Sequence, residues 1–113
     1  MRAGLGHALR LLAAGFLAAG TAVAAPVETA VCKRDRLVAP GLLQASRDRL
    51  LKADGKSLAV QCAAWRDHVQ SARTVADTYR RCVSGAERDA MLAEMGETER
   101  GFSQQVASRC RAL

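Results

Sequence analysis

Leu58, Cys62, Trp65, Val69, Ala72, Ala76, Tyr79 and Val83 follow one another at alternating steps of four and three residues. Such steps return to one side of a 3.6-residue helix, so they predict a long helix over about residues 57–83. A seam held over this length suits a coiled-coil-like pair. Ser57 is placed as its N-cap, and Asp54-Gly55-Lys56 before it reads as a turn.

A second stripe follows the break at Ser84-Gly85. Met91, Met95, Phe102, Val106, Cys110 and Leu113 predict a helix over about residues 86–112. Ser84 and Glu87 have the spacing of a capping box. Gly96 and Gly101 weaken the middle of this helix by roughly 1 kcal/mol each relative to alanine. Upstream, Leu43, Leu50 and Leu51 continue a shorter pattern over about residues 40–53, with Pro40 at the first-turn position that tolerates proline. Residues 25–39 hold Pro26 and the charged run Lys33-Arg34-Asp35-Arg36 without a helical stripe, and predict an extended arm pinned at Cys32.

Residues 1–24 read differently. Arg2 and Arg10 precede the apolar run Leu11–Ala19, and Ala22-Val23-Ala24 has the small-x-small pattern of a signal-peptidase site. This predicts a secretory signal peptide cut after Ala24, leaving one helical domain over 40–113 behind the arm. No later apolar run approaches the roughly 20 residues of a membrane helix.

Helices joined by a tight turn run antiparallel. Folding the second about Ser84-Gly85 brings together residues whose numbers sum to about 171. This register faces Trp65 with Val106, Val69 with Phe102, Ala76 with Met95, Tyr79 with Met91, and Cys62 with Cys110. Four cysteines allow three pairings by count alone. The register favours Cys62–Cys110, which leaves Cys32 for Cys82. The predicted fold is all-α: a short N-terminal helix on a long antiparallel hairpin, stapled by two disulfides. In an exported chain, disulfides are favoured over a zinc site, since the cysteines lie 30, 20 and 28 residues apart with no close pair. No C-x-x-C redox motif occurs.

Charge adds a gradient. Residues 25–83 hold eleven Lys/Arg against six Asp/Glu, and residues 84–113 hold four against five. Arg66, Arg73 and Arg80 recur every seven residues beside the seam, with Arg81 adjacent. Guanidinium forks at that spacing could grip a partner's carboxylates. The plainer reading makes them flanking salt bridges to Glu87, Glu94 and Glu97 of the next helix. Aromatics interleaved with the arginines are lacking, which argues against nucleic acid.

Catalytic signatures are weak. Gly55-Lys56-Ser57 resembles the tail of a phosphate loop, but Leu50 stands where the leading glycine belongs. His68 has Asp67 and Ser71 near it in sequence, yet neighbours on one helix do not converge as a triad does. Trp65, Met91 and Met95 read as core. Gln61, Trp65, Arg66 and Asp67 share residue types with the Q-x-x-x-W-x-x-x-R-D helix of small periplasmic lysozyme-inhibitor-type proteins. The Arg-Asp pair follows Trp65 directly here and the trailing cysteine is missing, so no family is assigned. The expectation is a periplasmic or secreted non-enzymatic protein that binds another envelope or secreted protein, as an inhibitor, immunity or stress-accessory factor. Its site is Arg66, Arg73, Arg80 and Arg81, without cofactor or metal. A periplasmic carrier of a small ligand or metal ion is the alternative.

Overall fold

The computed structural model describes Gly15 and residues 28–112; apart from Gly15, the predicted leader lies outside the described residues. Among the described residues three helices follow in order: α1 over Ala30–Ala53, α2 over Leu58–Cys82 and α3 over Gly85–Arg109. The described residues contain no strand, and none of their helices is long and apolar enough to cross a membrane.

The N-terminal region departs most from expectation. In place of an extended arm and a short helix, one helix of 24 residues begins at Ala30. The Thr29 hydroxyl accepts the Cys32 N–H at 3.0 Å and caps it. Cys32, Ala39, Leu43, Ser46 and Ala53 form its buried stripe, at steps of seven, four, three and seven. Pro40 therefore lies inside the helix rather than opening it. An interior proline is unfavourable by about 3 kcal/mol, because it removes one backbone donor and crowds the preceding turn. Burial on both sides of Pro40, together with the covalent tie at Cys32, outweighs this local preference.

The chain turns at Gly55, whose φ of +71° favours a residue without Cβ. Ser57 then caps α2 by accepting the Val60 N–H at 3.3 Å. Gly85 repeats the positive φ at the start of α3. There Ser84 makes no side-chain cap bond, so the predicted capping box is not formed.

Helix α2 packs against both α1 and α3. The architecture is three near-equal helices with α2 as the shared spine, not a short helix laid on a two-helix hairpin. Disulfides join Cys32 to Cys82 and Cys62 to Cys110. The second bond and the Arg73–Glu99 ion pair link residues whose numbers each sum to 172, in line with the fold-back register. The core gathers Ala39 and Leu43 of α1, Ala72, Val75 and Ala76 of α2, and Met95 of α3. Tyr79 packs both on this cluster and on the one formed by Cys32, Cys82 and Val83.

Candidate functional site

The four arginines of the predicted rail do not act alike. Arg66 and Arg73 line one groove of about 310 Å³ with Val69, Ser103, Val106 and Ala107. The Arg73 Nε donates to Glu99 at 2.7 Å across the α2–α3 seam. An Arg66 amino group lies 3.5 Å from the Cys110 carbonyl and has no carboxylate partner among the described residues. Arg80 is exposed, and no ion pair engages it among the described residues. Arg81 faces the other way, donating to Asp77 one turn back and to Asp35 of α1. The Asp77 and Asp35 bonds raise the Arg81 pKa, and bonds from Arg34 and Arg81 lower that of Asp35. Arg81 thus ties α1 to α2 instead of extending the rail. The predicted carboxylates Glu87, Glu94 and Glu97 are not the rail's partners: Glu99 takes Arg73, and Glu94 lies 3.8 Å from Arg47 of α1.

His68 has a partner that spacing along its own helix did not suggest. Its Nδ1 lies 2.7 Å from the hydroxyl of Ser46 on α1. The Ser46 hydroxyl also lies 3.1 Å from the Leu43 carbonyl. The tautomer of His68 sets which of the two groups donates in the Ser46–His68 bond. The imidazole meets the Phe102 ring edge-on at 4.7 Å, so α1, α2 and α3 converge there. Burial, reinforced by Arg47 and opposed by Asp67, pushes the His68 pKa below its ordinary value. Ser46 is fully buried, so the pair lies within the packing of α1 on α2. A sequence signal did exist: Ser46 lies seven residues from both Ala39 and Ala53, on the buried stripe.

Trp65 is half-buried rather than core, with the Arg109 guanidinium 5.1 Å from its ring centroid. It lines a groove of about 230 Å³ with Leu50, Leu51 and Phe102. A larger groove of about 420 Å³ opens beside the α1–α2 turn. Ala53, Val60, Ala63 and Ala64 floor it, and Arg49, Lys52, Lys56 and Asp67 rim it. Arg49 is held by Asp67 there. Among the described residues, no group of three or more His, Cys, Asp or Glu side chains is placed to hold a metal ion.

These features define an all-α domain with two disulfides, compatible with an exported protein. The chain matches no protein-family model, no curated protein and no solved structure.

Proposed function

We propose that this chain is a small exported, non-enzymatic protein that acts by binding another envelope or secreted protein. Its leading contact is the α2–α3 groove at Arg66 and Arg73, extended by Arg80. The observation that carries this reading is the groove's chemistry. Val69, Val106 and Ala107 offer an aliphatic floor, and the Arg66 fork beside it has no acid partner among the described residues. A partner segment with a carboxylate flanked by apolar side chains would fill both needs. Export is supported by the leader-like pattern of residues 1–24 and by the two disulfides.

The test is affinity capture from the native envelope fraction, using oxidised chain from Ala25 to Leu113 as bait at low and high salt. One dominant protein should be retained, and it should be lost when Arg66, Arg73 and Arg80 become glutamine, with Tm nearly unchanged. Unchanged capture together with a large fall in Tm would make the arginines structural and end this reading.

A further inference from the structure

We propose that the outward face of α1 and its turn into α2 form a docking surface for an anionic phospholipid bilayer. Every exposed large aliphatic side chain among the described residues lies on this strip. Val31, Leu37, Val38 and Leu51 belong to α1, and Leu58 and Val60 open α2. Leu37 and Leu51 are 76% and 75% exposed, and α3 has no counterpart.

Positive charge follows the same strip. Helix α1 carries six Lys/Arg against two Asp/Glu, whereas α3 carries three against five. Arg34, Arg36, Arg47 and Arg49 of α1 are held by Asp35, Glu28, Glu94 and Asp67, which leaves Lys33 and Lys52 as its cations without an ion pair among the described residues. Lys52 and Lys56, on the rim of the 420 Å³ groove, have no carboxylate within ion-pair distance among the described residues. Exposed aliphatic side chains accompanied by the lysines Lys33, Lys52 and Lys56 are the chemistry of interfacial binding. The former enter the acyl boundary and the latter meet lipid phosphates.

The layout favours a bilayer over a protein pocket. A helix of this length spans about 36 Å, and the aliphatics are spread along it and past its end instead of meeting in one concavity. An extended surface suits such a spread better than a single pocket does. Arg66 and Arg73 lie in the α2–α3 groove, so bilayer docking leaves the proposed protein contact free and does not depend on it.

Co-sedimentation of the full chain with phosphatidylcholine vesicles, with and without phosphatidylglycerol, tests this. Residues 1–27 are common to every variant, so the readings are ratios between variants and between vesicles. Binding should need phosphatidylglycerol and weaken at high salt. Lys52→Gln with Lys56→Gln should lower the partition coefficient about tenfold or more. Leu37→Ser with Leu51→Ser should weaken it without loss of helical circular dichroism, since both side chains stand in solvent. Arg88→Gln with Arg100→Gln removes the same charge from α3 and should change little. Equal binding to both vesicles, unchanged binding by the α1 variants, or an equal loss in the α3 variant would overturn the proposal.

Discussion

Helices α1 and α3 are nearly equal in length, lean on the same neighbour and are each tied to it by one disulfide. Their attachment differs. Helix α1 buries five side chains along a clear stripe yet leaves Leu37 and Leu51 in solvent. Helix α3 buries only Met95 within its span, with Met91, Leu92, Phe102 and Val106 half covered, and exposes no large aliphatic. Helix α1 is thus firmly packed on one side and unsatisfied on the other, whereas α3 is evenly and thinly packed. Burial holds a helix in place, and the exposed aliphatics of α1 are the side chains that the proposed bilayer contact would use. Both a buried stripe and exposed large aliphatics belong to α1, and α3 has neither.

The disulfides offer the largest break in this comparison. They span 50 and 48 residues, so each should contribute about 4 kcal/mol through the unfolded chain. What remains afterwards should differ. Replacing Cys62 and Cys110 by serine should open the last turns of α3 to hydrogen exchange, because Met95 is the one fully buried anchor left. Replacing Cys32 and Cys82 should leave most of α1 protected through Ala39, Leu43 and Ser46. Equal protection of α1 and α3 in the two variants would remove the distinction.

Met95→Ala should follow in size, lowering stability by about 3 kcal/mol in chemical denaturation. Met95 is 2% exposed and is the point where α3 enters the shared core. A loss below 1 kcal/mol, on the order of a surface change, would mean that the half-buried residues carry α3.

The smallest expected effect concerns His68, where the two flanking helices meet. Its folded pKa lies below the ordinary value near 6.5 because burial disfavours the imidazolium, with Arg47 adding to it. The unfolded chain therefore binds more protons between the two pKa values. The stabilisation is complete above pH 6.5 and is lost as pH falls through that window, with a slope no greater than about 1.4 kcal/mol per pH unit. Asp35, held below the usual carboxylate range, titrates in a separate, more acid window. Denaturation midpoints from pH 7 to pH 5 should fall in the wild type and flatten in His68→Gln. A wild type without slope would place the imidazole in water.

Much of α2 was legible because its apolar positions recur without interruption, and α3 because its stripe breaks only once, between Met95 and Phe102. The same register anticipated Cys62–Cys110. Helix α1 was misread at its first half because Pro40 and the run Lys33-Arg34-Asp35-Arg36 mask a stripe made of Cys32, Ala39 and Leu43. Propensity is a weak local signal, and tertiary burial overrode it. The site was legible only in part. A seven-residue spacing places Arg66, Arg73 and Arg80 on one side of α2, yet cannot say which carboxylate each will reach. Glu99 took Arg73, and Asp35 took Arg81 from a segment expected to be extended.

The sequence by itself determined the all-α class, the turns at Gly55 and Gly85, and the antiparallel register of α2 with α3. These follow from periodicity and backbone permission, which act within a few residues. Only the tertiary structure decided that α1 is as long as its neighbours, that His68 meets Ser46, and that Leu37 and Leu51 stand in solvent on α1. The length of α1 and the His68–Ser46 contact depend on which surfaces compete for a single spine, and that competition is settled between residues far apart in the chain.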